Sequence, residues 1–315
     1  LRSSVMDDSS ELERVRSLWD KTSEERLRNP VQGWLDSPIV LENYVQPKVS
    51  GSPQVNWLVG IVERQRIPKD GRWLSLGCGA ADIEIFASHQ GLFRSLVALD
   101  ASPASIEVGR ASAEAKGVSN IEFGLADLNH LDLPKAAFDV VLMNMSLHHV
   151  KQVRETLSQV HGALRPHGRL LINEFIGPRQ FQFTDLQLEI VEQLLRALPP
   201  FWRQDIATGG EKTRYVRMPV EHWNVADPSE AIRSDIIVSE VERQFEVIER
   251  IDYGGTLLNL LLEHIIHNFN PGDPKDVAVI RLLAEFESIL IGKGCLPSDF
   301  TVMALGKKRG LFGGL

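Results

Sequence analysis

The sequence predicts an α/β fold, a doubly wound, mostly parallel sheet with helices on both faces. Three observations predict it. Short apolar strands alternate with helices over residues 70–176, which is typical of such sheets. One of these strands runs into the glycine turn Gly77-Cys78-Gly79 and then into a helix. The next predicted strand, residues 96–100, ends in Asp100, at the sheet edge where such folds bind ligands.

Residues 1–66 are predicted to form a helical cap. Within residues 9–27, Leu12, Val15, Leu18 and Trp19 recur at helical spacing between charged residues. The helical pattern continues over residues 34–44, breaks in the Pro, Gly and Ser residues of 46–53, and resumes around 55–66. This region therefore covers the core and adds no strand to the sheet.

The glycine turn favours one kind of nucleotide. Gly77 and Gly79 let the backbone approach a ligand closely, and the following helix begins with free N–H groups. Asp100 lies 23 residues after Gly77, where an acid can accept the hydroxyls of a ribose. A dinucleotide site would have a third glycine at Asp82, and an acid there repels a pyrophosphate. The ligand is therefore expected to be a nucleoside without phosphates, of which S-adenosylmethionine is the common one.

A series of ordered segments resembles the class I S-adenosylmethionine-dependent methyltransferases. The segments are residues 74–80, 98–102, 123–128, 138–150 and 164–174. The resemblance covers residues 70–176 well and the flanks loosely. It implies a Rossmann-like sheet of seven strands, parallel with an antiparallel edge hairpin, and S-adenosylmethionine as the cofactor.

The resemblance also implies which residues bind the cofactor. Asp127 would meet the adenine amino group, and the backbone at Leu128 would meet the ring. The full implied set is Ser75, Gly77, Cys78, Gly79, Asp100, Ala101, Ala126, Asp127, Leu128, Asn144 and Met145. Two positions depart from the family pattern: Ser75 stands where an acid often meets the methionine amino group, and Ala81 stands where a third glycine is usual. The amino-acid end of the cofactor is the part least explained.

Residues 177–315 are predicted to form a helical substrate lid together with the last two strands, and residues 67–176 the cofactor-binding core. The resemblance implies that residues 245–253 and 300–307 are these strands. An amphipathic helix is predicted from Thr184 to Leu198, capped by Thr184 and stopped by Pro199 and Pro200. A second insertion, 256–298, is predicted to hold helices at 257–268 and 276–291. Such insertions usually roof a site over the strand ends and exclude water.

The candidate catalytic residues follow the fourth and fifth strands. Methyl transfer from a sulfonium is a direct displacement, so an enzyme mainly aligns the reactants and removes at most one proton. His148, His149 and Glu174 are the candidate bases, because histidine titrates near neutral pH and burial raises the pKa of a glutamate. The alternative is that the histidine pair only anchors the next helix.

Four residues of the cap and lid are candidates for binding the acceptor. They are Tyr44, Trp57, Tyr215 and His264. Aromatic residues in such regions more often pack in the core. His264 and His267 lie three apart on a predicted helix, but no complete set of metal ligands is legible, so no metal site is assigned.

Composition limits the partners. The net charge of −8 and the isoelectric point of about 5.6 oppose nucleic acid as a main partner. Two cysteines in unrelated contexts, a polar N-terminal region and no apolar run of membrane-spanning length favour a cytoplasmic protein without a membrane partner. Both a monomer and a homodimer are compatible with the sequence.

The sequence therefore predicts an S-adenosylmethionine-dependent methyltransferase. Its acceptor would be an O, N or C atom of a small molecule, a metabolite or natural product, held in a roofed pocket. One alternative is a protein methyltransferase, which would need an open groove. Another is a catalytically silent methyltransferase-fold subunit that binds a partner. Ser75 and Ala81 favour this last alternative, whereas Asp100 and Asp127 oppose it.

Overall fold

The computed structural model describes residues 13–18, 20 and 33–308. Seven strands form one sheet in the order β3-β2-β1-β4-β5-β7-β6. They are β1 Arg72–Leu76, β2 Ser95–Asp100, β3 Ile121–Leu125, β4 Phe138–Asn144, β5 Leu164–Phe175, β6 Phe245–Gly254 and β7 Phe300–Lys307. Strand β7 runs antiparallel to β5 and β6, and the remaining pairs are parallel. The predicted fold class, with its antiparallel edge, is confirmed.

Helices cover both faces of this sheet and form the cap and lid. Helix α1 is a run of three segments, Pro38–Val40, the π-helical Leu41–Val45 and Gln46–Ser50. The others are α2 Trp57–Arg64, α3 Asp82–His89, α4 Pro103–Ala115, α5 Val153–Ala163, α6 Asp185–Ala197, α7 Val220–Ala226, α8 Ile237–Gln244, α9 Leu258–Leu262 and α10 Pro274–Gly292. None of the helices in the described ranges is long and apolar enough to cross a bilayer.

The central strands are apolar on both sides because helices bury both faces. Successive side chains of a strand point to opposite faces. Trp73 accordingly joins a core cluster that includes Ile85 of α3 and Tyr253 of β6. Its neighbour Leu74 joins a second cluster on the other face, which includes Val160 of α5. Because strands β1 to β5 run parallel, their carboxyl ends meet along one edge of the sheet.

The cap is helical, with two differences in detail from the prediction. Residues 13–18 are helical, whereas Leu12, Trp19 and most of the predicted helix 9–27 lie outside the described residues. The break predicted over 46–53 begins late, because the chain stays helical to Ser50 and turns at Gly51, whose φ is +82°. The domain boundaries at residues 66 and 176 stay predictions.

The lid contains two helices as predicted, α6 and α10, and one that is shorter. Helix α6 begins after Thr184, whose hydroxyl accepts from the Gln187 N–H, so the predicted cap is confirmed. The predicted helix 257–268 is wrong, since α9 ends at Leu262 and His264 has φ +60°. A buried ammonium gives the reason: Nζ of Lys212 donates to the carbonyls of Leu260 and Glu263, both at 2.7 Å, and stabilises the helix end. His264 and His267 therefore do not share one helix.

A buried carboxylate holds the other end of α9. Glu287 of α10 accepts from the N–H groups of Gly255 at 2.8 Å, Leu257 at 2.6 Å and Leu258 at 2.9 Å. It also accepts from the hydroxyl of Tyr44 at 2.6 Å. An anion at a helix start satisfies free N–H groups and suits the helix dipole. Glu287 therefore ties the cap, the end of β6 and the lid together.

Candidate active site

The glycine loop is held against the turn that follows β4. The N–H groups of Gly77 and Cys78 donate to the carbonyl of Leu99, at 2.7 and 3.1 Å. Gly77 has φ +71°, and a Cβ there would overlap the Cβ of Ser146. The Ser146 hydroxyl donates to the Leu76 carbonyl at 2.7 Å. The predicted cofactor loop and the turn with the histidine pair are therefore direct neighbours.

Asp100 is fixed at the end of β2. Its Oδ2 accepts from the Gly79 N–H at 2.8 Å, and its Oδ1 accepts from the Ser102 N–H at 2.9 Å. A carboxylate oxygen can accept more than one hydrogen bond, so both oxygens keep acceptor capacity. The acid is half-buried beside the loop and Ala101. This geometry suits the predicted contact with ribose hydroxyls.

The N-terminal segment reaches this part of the site. Oδ1 of Asp20 accepts from the Ser102 hydroxyl at 2.6 Å and from the Ala104 N–H at 3.1 Å, at the start of α4. The guanidinium of Arg14 donates to the Val225 carbonyl of α7 at 3.3 Å. The segment thus contacts both the cofactor side and the lid.

Asp127 is bound within its own turn. Its Oδ1 accepts from the Asn129 N–H at 2.9 Å, and its Oδ2 lies 2.7 Å from Nδ1 of His130. Burial alone would raise the pKa of Asp127, but these hydrogen bonds lower it below its usual value. The Leu128 carbonyl accepts from Thr156 at 2.7 Å, and the Ala126 N–H donates to the Asp100 carbonyl at 2.9 Å. The structure therefore brings these residues beside Asp100, and their contact with adenine stays a prediction.

Sequence reasoning missed a buried acid beside Ser75. The Ser75 hydroxyl donates to Oε1 of Glu84, 2.5 Å away in the first turn of α3. Glu84 is 1% exposed, and its Oε2 has no hydrogen-bond partner in the part of the chain that the structure describes. Burial raises the pKa of Glu84 to about 7. A carboxyl group does lie at Ser75, but it comes from α3, and the signal was an acid one residue before the buried Ile85.

Two further predicted cofactor residues end β4. The Asn144 amide oxygen accepts from the Asn173 amide at 2.9 Å, and the Asn173 oxygen accepts from the Tyr253 hydroxyl at 2.8 Å. Met145 has φ +53°, and its N–H donates to the Asn173 carbonyl at 2.7 Å. These hydrogen bonds of Asn144 and Met145 fix the exit of β4 toward the histidine turn. In the neighbouring glycine loop, burial raises the pKa of the Cys78 thiol, which favours its neutral form.

Glu174, at the end of β5, holds the histidine turn. Its Oε1 accepts from the N–H groups of Ser146 at 2.6 Å and Leu147 at 2.5 Å, and its Oε2 lies 2.7 Å from Nδ1 of His148. The residue is 0% exposed. A carboxylate with three donors from one turn fixes the conformation of that turn.

The histidine pair faces the lid. Nε2 of His148 lies 3.6 Å from Oε1 of Glu230, and the two imidazole centroids are 4.1 Å apart. Nδ1 of His149 lies 3.4 Å from the Ser229 hydroxyl. Burial lowers the pKa of His148, but Glu174 and Glu230 outweigh it and raise the value, whereas burial lowers the pKa of His149.

Three possible ligand atoms converge at this position. His148, His149 and Glu230 each offer one atom, and the three lie within 4.8 Å of one another. Sequence reasoning assigned no metal ligand here. No local pattern could have found Glu230, since His149 and its contact Ser229 are 80 positions apart.

Residues 67–219 match the sequence model of the family described as "Methyltransferase domain". The glycine loop, Asp100 and strands β1 to β5 lie within these residues. Residues 67–219 therefore form a class I methyltransferase domain. Its cofactor is S-adenosylmethionine.

The chain is also similar to curated proteins. The chain is 32% identical over 132 residues to a ubiquinone/menaquinone biosynthesis C-methyltransferase, UbiE, of Ectopseudomonas mendocina, covering 41% of this chain and 52% of the relative. It is 26% identical over 188 residues to a malonyl-[acyl-carrier protein] O-methyltransferase of a Paenibacillus species, covering 55% and 68%. The chain spans about half the length of the first of these relatives.

Solved structures are also similar to the chain. One is an S-adenosylmethionine-dependent methyltransferase from Mesorhizobium loti, with 18% identity, a TM-score of 0.45, and coverage of 79% of this chain and 96% of that one. Another is the [4+2]-cyclase SpnF, with 14% identity, a TM-score of 0.48, and coverage of 87% and 94%.

One of the four candidate acceptor residues lies in an aromatic cluster that reaches the histidine turn of the methyltransferase domain. The Tyr215 ring is 5.6 Å from Phe183, Phe183 is 6.4 Å from Phe175, and Phe175 is 6.3 Å from His148. Phe181 stacks on Phe183 within the same cluster. Tyr215 is therefore linked to the histidine turn through this cluster.

The other three candidates lie elsewhere. The Tyr44 hydroxyl is bound to Glu287 at the interface of cap and lid. Trp57 begins α2 and is buried in the cap. His264 is half-buried, and its Nδ1 lies 4.0 Å from Oδ1 of Asp205. The structure does not bring these three to the histidine turn of the domain.

Two surface grooves lie apart from the methyltransferase site. One of about 680 Å³ is lined by residues of α10 and the preceding loop, including Pro271, Val277 and Leu282. Another of about 310 Å³ is lined by residues such as Asn56 and Phe86. Neither groove includes a predicted cofactor or catalytic residue. The roofed pocket over the strand ends stays a prediction.

Proposed function

We propose that this protein transfers the methyl group of S-adenosylmethionine to an O, N or C atom of a small-molecule acceptor. The contact between Gly77 and Ser146 carries the proposal. It puts the turn with the histidine pair directly beside the loop where the cofactor would bind. A cofactor that spans this edge would therefore present its sulfonium near the histidine turn.

The cofactor would lie along the ends of the first four strands. Asp100 would accept the ribose hydroxyls through its remaining acceptor capacity, and Asp127 with Leu128 would hold the adenine. The amino-acid end would meet the loop above Ser75, where the buried Glu84 lies. In this arrangement Glu84 supplies the carboxyl group that Ser75 lacks, so Ser75 is no longer an argument for a catalytically silent subunit.

The transfer itself needs few groups from the protein. An electron pair of the acceptor, a lone pair on O or N or a π pair at C, attacks the methyl carbon. The carbon–sulfur bond breaks with its electrons passing to sulfur, and S-adenosylhomocysteine leaves. An acceptor that carries a proton on the attacking atom also releases it, to a nearby base or to solvent. Holding the two reactants in line is the main contribution of the enzyme. We assign Glu174 a positioning role, because it is buried and all its contacts hold the histidine turn.

Two observations support a small acceptor. His148 is 5% exposed, so the acceptor must reach the turn beneath the lid and not along an open groove. The aromatic cluster of Phe175, Phe181, Phe183 and Tyr215 adjoins it. By their names, one curated relative is a ubiquinone/menaquinone biosynthesis C-methyltransferase, and the other is a malonyl-[acyl-carrier protein] O-methyltransferase. We therefore propose a biosynthetic acceptor with apolar surface and place the protein-methyltransferase alternative second.

Calorimetric titration with S-adenosylhomocysteine tests the cofactor site. We expect micromolar binding by the natural chain. Asp100→Asn should weaken it by about 10-fold to 100-fold, the equivalent of losing a hydrogen bond to a charged group. Asp132→Asn, an exposed acid in the loop before β4, is the matched control and should bind like the natural chain. Absence of binding by the natural chain would reject the proposal and favour the silent subunit.

A further inference from the structure

We propose that His148, His149 and Glu230 form a site for a divalent transition-metal ion at the acceptor end of the active site. Zinc bonds to histidine nitrogen and carboxylate oxygen are about 2.0–2.2 Å long, so tetrahedral ligand atoms lie roughly 3.3–3.5 Å apart. Nε2 of His148 and Oε1 of Glu230 are 3.6 Å apart, which is already close to this spacing. The full set lies within 4.8 Å, so the remaining pairs need to close by roughly 1 Å.

Glu174 orients the first of these ligands. A carboxylate only accepts hydrogen bonds, so Nδ1 of His148, 2.7 Å from Oε2 of Glu174, must carry the hydrogen. In the neutral ring this leaves the lone pair on Nε2, which is the nitrogen that faces Glu230. A carboxylate that binds the second nitrogen of a histidine ligand is the usual support of protein metal sites. Glu174 is itself held by the Ser146 and Leu147 N–H groups, so the support is rigid.

The charges of the cluster also favour a cation. The carboxyl groups of Glu174 and Glu230 approach His148 at its two ring nitrogens, and Asp227 accepts from the Ser229 hydroxyl that contacts His149. Among the described residues, the only ion-pair partner of Glu230 is His148, at a distance longer than a hydrogen bond. A divalent cation would offset this charge and take ligands from both elements, the turn after β4 and the lid.

The ligand types indicate the class of metal. Two imidazoles and one carboxylate, with a fourth position open, are typical of catalytic zinc, and imidazole also suits iron and nickel. Calcium and magnesium prefer oxygen ligands. The open position would bind an oxygen of the acceptor, such as a hydroxyl, an enol or a carboxylate, beside the methyl donor. This role, but not metal binding itself, depends on the proposed methyltransferase function.

Titration of the chelator-treated full chain with CoCl₂ tests the site. We expect one equivalent of Co²⁺ to bind, with visible ligand-field absorption that ZnCl₂ abolishes by competition. His149→Ala and Glu230→Gln should each weaken Co²⁺ binding by at least about 10-fold to 100-fold. Glu221→Gln, an exposed acid of the same lid, is the matched control and should bind Co²⁺ like the natural chain. Circular dichroism checks that each variant is folded.

The outcomes separate this proposal from the methyltransferase function. The metal site is rejected if Co²⁺ fails to bind, or if folded His149→Ala and Glu230→Gln bind it unchanged. Equal weakening in Glu221→Gln would show adventitious surface binding and would also reject it. The same metal-free protein is then titrated with S-adenosylhomocysteine. If the chain binds S-adenosylhomocysteine but not Co²⁺, the metal site is rejected and the methyltransferase proposal is kept. If it binds Co²⁺ but not S-adenosylhomocysteine, the metal site is kept and the methyltransferase proposal is rejected.

Discussion

The cofactor side and the acceptor side of this sheet edge are built from contacts of different range. On the cofactor side, Asp100 contacts Gly79 across 21 positions, and Asp127 contacts Asn129 across 2. On the acceptor side, Glu174 contacts Ser146 across 28 positions, and the histidine turn meets the lid across 80. Asp100 and Asp127 are held by contacts within residues 79–130, and Asp20 adds one contact to this side across 82 positions. The acceptor side forms only when the lid packs onto the turn.

The two sides also differ in how many hydrogen bonds their buried carboxyl groups accept. Glu84 accepts from one hydroxyl and has a second oxygen without a partner among the described residues. Glu174 is equally buried but accepts from two N–H groups and an imidazole. Burial of a carboxyl group costs stability unless donors compensate. Glu174 should therefore stabilise the fold, and ionised Glu84 should destabilise it.

Glu174→Ala should give the largest effect. It leaves three buried donors of the histidine turn without their acceptor, so we expect the free energy of unfolding to fall by about 3–5 kcal/mol. Urea unfolding measures this loss. Glu122→Ala, on exposed β3, is the control and should change stability by less than about 0.5 kcal/mol. A comparably small loss in Glu174→Ala would contradict the positioning role.

Glu84→Gln should change how stability depends on pH. The pKa of Glu84 is raised from 4.5 to about 7, so the folded chain keeps a proton that the unfolded chain releases. Glu84 alone therefore lowers the free energy of unfolding by about 3 kcal/mol as pH rises between these values, and its contribution levels off above pH 7. Urea unfolding at several pH values should show this decline in the natural chain and a smaller decline in Glu84→Gln.

Asp299 provides a matched comparison for that experiment. Burial also raises its pKa to about 7, at a different place before β7. Asp299→Asn should remove a second part of the same decline, and the two variants should be additive if the sites are independent. An unchanged pH profile in Glu84→Gln would show that Glu84 is charged or solvated in the folded chain.

Comparing Gly77→Ala with Gly79→Ala should distinguish the steric cost of the contact with Ser146 from the cost of backbone strain. Both Gly77 and Gly79 have positive φ, but only a Cβ at Gly77 meets another residue, Ser146. We expect Gly79→Ala to cost about 1 kcal/mol from strain alone and Gly77→Ala about 2–3 kcal/mol. The double variant Gly77→Ala/Ser146→Gly should recover part of the difference. Equal costs for the two glycines would argue against the close contact.

Local patterns predicted much of this molecule. The alternation of strands and helices predicted the parallel part of the sheet, and the family resemblance predicted β6 and β7. The glycine turn predicted the loop, and Thr184 with Pro199 predicted the ends of α6. The early end of α9 was missed because its carbonyls are bound by Lys212, 48 positions before Leu260. A residue that acts across such a distance leaves no mark on the periodicity of the helix it ends.

The residues of the candidate site also differ in how well local sequence predicts them. Glu84 had a recognisable signal, because it is an acid on a helix next to the buried Ile85, whereas Glu230 lies in a polar lid segment with no such contrast. Glu174 was found as a residue, but its three donors follow from the packing of β5 beside β4. Their geometry required the folded sheet.

A crystal structure with bound S-adenosylhomocysteine would test the account most directly. We predict ribose hydroxyls on the carboxylate of Asp100 and the sulfur directed toward the turn that holds His148. The lid should place Glu230 at the same turn. A nucleoside bound away from Asp100, or a sulfur directed away from the turn, would contradict the proposed relation between the cofactor side and the acceptor side.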